Sequence, residues 1–166
     1  MQFELKKWAL TDAQSIAEYA NNKKIADNLR NAFPHPYALA DAVSYIHAFQ
    51  NDDPGRICRA IAVDGRAAGS IGVFTRDDVY SKTAEIGYWL GEPFWNRGII
   101  TQAILKICGM AFSRLPIVRI YAEPFAHNIA SRRALEKAGF TLEGILKSNI
   151  FKNNKIYDSC IYALLK

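Results

Sequence analysis

The chain has 166 residues, 50% of them hydrophobic and 22% charged, which suits one ordinary domain around one core and excludes disordered, collagen-like and fibrous classes. Lysine and arginine number 21 against 16 acidic residues, a formal charge of +5 that suits an anionic ligand or nucleic acid without selecting either. No apolar run approaches the roughly 20 residues of a membrane span, and MQFELKKW lacks the basic-then-apolar pattern of a signal peptide, so a cytoplasmic protein without membrane contact is expected.

In chain order, residues 2–6 alternate weakly and predict a short strand. Thr11 with Gln14 three positions on predicts a capping box opening a helix near 11–20. Pro34 and Pro36 mark a loop, after which Val43, Ile46 and Phe49 repeat at helical spacing. Residues 57–63 and 67–75 are apolar runs about Asp64-Gly65, a strong signal for an antiparallel hairpin.

Residues 83–90, TAEIGYWL, predict a further strand. Pro93 and Gly98 then mark a loop, and Ile100, Ile104, Cys108 and Ala111 lie on one face of a long helix. A strand over 117–122 and a helix introduced by Asn128 and ended by Gly139 make a second strand-loop-helix unit, which implies a locally parallel strand pair. Residues 140–151 and 155–164 predict a closing hairpin about Asn153-Asn154. The expectation is an α/β fold: one mixed sheet with helices on both faces, forming a single domain over 1–166, with no repeat or linker. Cys58, Cys108 and Cys160 are odd in number and lack a CxxC pair, so they are expected to be small apolar packers in a reducing compartment, with no metal site.

The segment EIGYWLGEPFWNRGIITQAI carries the first chemical signal. Strand, polar loop with Gly98, and helix start follow one another directly, and the unpaired N–H groups of a helix N-terminus stabilise an anion such as a diphosphate. Gly98 permits close backbone approach, and Arg97 adds positive charge.

AEIGYWL, WNRGIIT and HNIASRRALEKAGF together resemble the successive motifs of the GNAT N-acetyltransferase superfamily, and most nearly its ribosomal-protein-acetyltransferase (RimJ/RimL) branch. The resemblance runs from FPHPYALADA to KIYDSCIYALL. It implies a mostly antiparallel sheet with a central parallel pair splayed to admit acetyl-coenzyme A, and direct acetyl transfer to a primary amine on a protein N-terminus or a small molecule. It implies that the strand at Tyr88, Trp89 and Leu90 pairs with the pantetheine arm. The diphosphate loop falls on Trp95, Asn96, Arg97, Gly98, Ile99 and Ile100, with Thr101 adding a backbone donor; only the central glycine of the family pattern is kept.

Asn128 and Ser131 match the family's N-x-x-S beside the thioester. Leu135 stands where many relatives place a tyrosine acid, so Ser131 becomes the candidate acid for the leaving thiolate. Glu85 matches a glutamate base in several relatives, with Glu123 as its competitor. Arg133, or the adjacent Arg132, is implied for the coenzyme's ribose phosphate, and Phe33, Pro34 and Tyr37 for the acceptor side of the cleft, where His35 reads as a loop residue. Two other classes stay open: a non-catalytic acyl-coenzyme A binder, and a nucleic-acid binder, which the chain's lack of a basic-aromatic platform disfavours. A homodimer is left open as the association state.

Overall fold

The computed structural model describes residues 2–166. The apolar runs become strands β1 (Phe3–Lys6), β2 (Arg56–Val63), β3 (Arg66–Thr75), β4 (Thr83–Leu90), β5 (Arg119–Ala122), β6 (Thr141–Lys152) and β7 (Lys155–Leu165). The helices are α1 (Ala13–Ala20), α2 (Lys23–Ala26), α3 (Leu39–Phe49), α4 (Ile99–Arg114) and α5 (Ile129–Lys137). The strands form one sheet in the order β1-β2-β3-β4-β5-β7-β6, in which β4 and β5 run parallel and the other neighbours antiparallel.

The two hairpins form where the turn chemistry predicts them. Asp64 and Gly65 lie at φ +46° and +84°, and Asn153 and Asn154 at +52° and +57°, the left-handed pairs that match the twist of two antiparallel strands. Of the stripe read for the long helix, Ile104, Cys108 and Ala111 of α4 are buried against Ile71, Val73, Ile86 and Ile120 of the sheet, Ile100 is only partly buried against the same core, and Ile107, which the stripe omits, is buried with them. On the opposite face α1 and α3 bury Ile16 and Ile46 with Trp8 and Tyr37. Helices thus cover both faces, as the sequence implies.

The first helix starts differently from the expectation. Its capping box is not built on Thr11 and Gln14; a turn of 3-10 helix over Leu10–Asp12 comes first, and the Asp12 carboxylate accepts the Ala9 N–H at 3.1 Å. Thr11 thus lies inside the first turn and not at its N-cap position, and Lys6 holds the Asp12 carboxylate in place at 2.6 Å.

The one-turn helix α2, capped by Asn22 accepting the Lys24 N–H at 2.9 Å, was not legible in the sequence. It leads into the loop that carries Arg30 and Phe33. The tip of the β6–β7 hairpin fastens this loop: buried Lys152 donates to the Leu29 carbonyl at 2.7 Å and Asn153 to Asp27 at 2.9 Å. Among the described residues no helix is long and apolar enough to cross a membrane.

Candidate active site

The parallel ladder between β4 and β5 is short. It joins Thr83 to Arg119, Ala84 to Ile120 and Glu85 to Tyr121, and then stops. On its other side β4 stays paired with β3 as far as Leu90. The β5-facing edge of Ile86–Leu90 is therefore left without a strand partner, and Glu85 sits at the apex of the opening. Unpaired strand backbone at this depth is a ready surface for an extended ligand to join as an added strand.

The loop at the mouth of the opening has the conformation an anion site needs. Asn96 and Gly98 are both left-handed, at φ +58° and +74°, and a side chain built on Gly98 would meet nothing within 4 Å. The first backbone bond of α4 runs from Gln102 N–H to the Gly98 carbonyl at 3.2 Å. The N–H groups of Ile99, Ile100 and Thr101 precede it and are the open donors of the helix end. Ile99 is buried in the core, so it offers only its backbone, whereas Arg97 is exposed. Trp95 ties the loop down by donating its indole N–H to the Leu90 carbonyl at 2.7 Å. A tryptophan at the first loop position thus fixes the distance between the end of β4 and the start of α4.

Asn128 and Ser131 meet at the start of α5, where the Asn128 Oδ1 accepts the Ser131 N–H at 3.2 Å. That bond makes Asn128 the N-cap of α5 and leaves its amide Nδ2 without a hydrogen-bond partner among the described residues. The Ser131 hydroxyl lies 2.8 Å from the Tyr88 hydroxyl. This contact joins β4 to α5 across the opening, and it was not foreseen: Tyr88 was expected to act through its backbone. Burial pushes the Tyr88 phenol well above its ordinary range, so the group keeps its proton at neutral pH, and either hydroxyl of the pair can donate to the other. Leu135, at the position of the usual tyrosine acid, is fully buried core.

Glu85 is held from three sides. Arg30 forms a close ion pair with it, Arg76 Nη1 lies 3.7 Å away, and the Tyr121 hydroxyl donates to Oε2 at 3.2 Å. Burial, followed by the Glu85 charge, raises the Tyr121 phenol. Glu123 has a different environment, accepting from Asn149 at 2.7 Å and from the Ser159 hydroxyl at 2.9 Å. Both of its partners belong to the β6–β7 hairpin, which gives Glu123 a bracing role. Tyr121 and Arg76 have a signal in strand register, since Tyr121 is the ladder partner of Glu85 and Arg76 donates its N–H to the Thr83 carbonyl at 2.9 Å. Arg30 arrives from a distant loop and has none.

The other expected residues are placed as follows. The Phe33 ring packs on Tyr37 and Trp89, with centroids 5.1 and 5.7 Å apart, so the loop of Phe33 and half-buried Pro34 adjoins the face of β4 that carries Glu85 and Trp89. Tyr37 is buried and anchored through its N–H to Asn21. Arg132 is used internally, donating to the Tyr162 hydroxyl at 3.2 Å and the Ala126 carbonyl at 3.0 Å. Arg133 is exposed and makes no ion pair among the described residues, which leaves it as the arginine available to a phosphate.

Cys58, Cys108 and Cys160 are all buried, and burial pushes the Cys108 thiol up to about 12, far from the thiolate a nucleophile needs. Alanine variants at the three positions, singly and together, are expected to melt at lower temperature while each folded variant keeps wild-type kcat; loss of turnover in a folded variant would expose a covalent role.

Comparison with known proteins agrees with this geometry. The family model for the acetyltransferase (GNAT) domain matches residues 2–141. The uncharacterized N-acetyltransferase YoaA of Bacillus subtilis (strain 168) is 38% identical over 85 residues, covering 51% of this chain and 48% of that protein. The ribosomal-protein-serine acetyltransferase of Escherichia coli (strain K12) is 37% identical over 90 residues, covering 54% of this chain and 50% of that protein. The matches thus span about half the length of these curated relatives. Among solved structures, the microcin C7 self-immunity acetyltransferase MccE, in complex with acetyl-CoA and AMP, has a TM-score of 0.85 at 28% identity, covering 99% of this chain and 93% of that one.

Proposed function

This chain belongs to the GNAT acetyltransferase family, and from that premise we propose that residues 1–166 act as one N-acetyltransferase domain that moves an acetyl group from acetyl-coenzyme A to a primary amine by direct attack. The amine is that of a protein N-terminus or of a small molecule; a protein acceptor is in keeping with the Escherichia coli relative, which is by name a ribosomal-protein-serine acetyltransferase. The observation that carries the reading is the break in the β4–β5 ladder after Glu85 and Tyr121, beside a left-handed Gly98 and the open first turn of α4. An acyl-coenzyme A needs the same two features, an extended slot for its arm and a backbone cradle for its diphosphate.

In this reading the backbone of Tyr88, Trp89 and Leu90 holds the pantetheine arm, the loop from Asn96 to Thr101 holds the diphosphate, and Asn128 and Arg133 flank the coenzyme. Phe33, Pro34 and Tyr37 wall the acceptor side. The acceptor arrives as an ammonium and must lose a proton before it attacks; Glu85, directly or through water, accepts it. Ser131 gives a proton to the departing thiolate. The neutral Tyr88 phenol donates to the Ser131 oxygen, which turns the serine proton outward toward the leaving group. Tyr88 therefore acts through its side chain as a positioning residue.

Tyr88→Phe is accordingly expected to lower kcat roughly three- to tenfold, the worth of one ordinary hydrogen bond, with little change in the KM for acetyl-coenzyme A. An unchanged kcat would remove Tyr88 from the account. The function itself is tested by thiol release from acetyl-coenzyme A over a panel of peptides, polyamines and amino sugars, with mass spectrometry of the products. Release coupled to an acetylated amine supports the proposal, whereas coenzyme binding without release across the panel would favour a non-catalytic acyl-coenzyme A binder.

A further inference from the structure

The face of the sheet that carries Glu85 also carries a hollow of about 300 Å³, lined by Arg76, Tyr80, Thr83, Arg119, Tyr121 and Ile161. It adjoins Glu85 through Arg76 and Tyr121, both of which contact that carboxylate. The arginines here are not equally committed. Arg119 is gripped by both oxygens of Glu143. Arg76 is half exposed, and its one ion-pair contact among the described residues is the 3.7 Å approach to Glu85. Arg30 pairs with Glu85 more closely but is 71% exposed, so solvent screens the pair and the side chain can swing away at little cost.

This arrangement poses a problem for an incoming ammonium. To reach Glu85 it must approach two guanidinium groups that share the same carboxylate, and like charges repel it. An acceptor that brings its own negative charge removes the conflict, because its anion takes over an arginine and leaves Glu85 to the ammonium. On the basis of the proposed role of Glu85, we propose that the acceptor is an anionic amine, whose carboxylate or other acidic group binds Arg76, with Arg30 released from Glu85 as the amine enters. The spacing limits where that anion lies. Arg76 is 3.7 Å from Glu85, and an extended chain advances about 3.3–3.6 Å per residue, so in a peptide the acidic group belongs to the first, second or third residue. Tyr80 and Tyr121 supply flat walls beside it.

The test is steady-state thiol release at low salt with matched peptides that carry Asp, Ala or Lys at the first, second or third position, together with a small acidic amine and its uncharged amide. The acidic acceptors are expected to exceed the basic ones in kcat/KM by about tenfold or more, a preference that added salt erodes. Arg76→Glu is expected to reverse the order, and Arg76→Ala to flatten it, each with an unaltered melting temperature and unaltered coenzyme affinity. A purely structural role for Arg76 would not move the order of acceptors. Preference for the acidic peptides but not the small acidic amine assigns the site to polypeptides; the converse assigns it to small molecules. Equal kcat/KM for acidic and basic acceptors, or an order that survives Arg76→Glu, overturns the inference while leaving the acetyltransferase reading intact. Release that no acceptor accelerates and that yields acetate without any acetylated amine overturns both.

Discussion

Glu85→Gln is expected to lower turnover by roughly 10²–10⁴-fold near pH 7, the usual worth of a positioned base. Glutamine keeps the shape of the side chain and still accepts the Tyr121 hydroxyl, but it cannot take a proton, and it releases Arg30 and Arg76. The loss should depend on pH in a definite direction. Below the amine's own pKa, each rise of one pH unit increases its deprotonated fraction about tenfold; for an α-amine, with a pKa of about 7.7–8.0, the variant should regain activity up to about pH 8 and then level off. Coenzyme affinity should hardly change, because Glu85 lies at the apex of the opening and not at its mouth. Glu123→Gln, which disturbs only a brace to Asn149 and Ser159, should keep wild-type turnover. If Glu85→Gln turns over normally at every pH while Glu123→Gln fails, the base is Glu123.

The second large effect is expected at Gly98. This residue caps α4 at φ +74°, and an ideal Cβ there meets nothing within 4 Å, so Gly98→Val has no clash to relieve in the free protein. What it meets is the cost of a left-handed β-branched residue, about 1–2 kcal/mol, which the free loop avoids by relaxing to another conformation. Coenzyme binding must then restore the strained loop and also accommodate two methyl groups in the space proposed for the phosphates. Calorimetry should show acetyl-coenzyme A bound about tenfold or more weakly, with a smaller loss in Gly98→Ala and little change in melting temperature for either. Unchanged affinity in Gly98→Val would displace the diphosphate from this loop.

The parts of the molecule that were legible in the sequence are those whose physics is local. Asp64-Gly65 sets its hairpin because two left-handed residues are needed in a row, and β4 spans 83–90 as its pattern predicts. The start of β5 was read two residues early; Ile117 donates to the Leu115 carbonyl, and the parallel ladder opens only when the Val118 N–H meets the Lys82 carbonyl at 2.9 Å. That boundary depends on another strand and leaves no local trace. The family resemblance singles out Glu85, Gly98 and Ser131 as candidates, but not what surrounds them. Strand parity alone puts Tyr88 on the same face as Ile86 and Leu90, yet only the packing of α5 brings Ser131 to its hydroxyl. Likewise Arg30 reaches Glu85 from 55 residues away, on a loop whose position depends on the β6–β7 hairpin tip.

The central claim is direct transfer within one complex of enzyme, acetyl-coenzyme A and amine, and initial-rate kinetics tests it most directly. Thiol release is measured while acetyl-coenzyme A and the preferred acceptor are varied together, and the products and the enzyme are weighed by mass spectrometry. The account predicts intersecting reciprocal plots, one acetylated amine for each thiol released, and no acetylated enzyme. Parallel plots with an acetyl group trapped on the protein would contradict it.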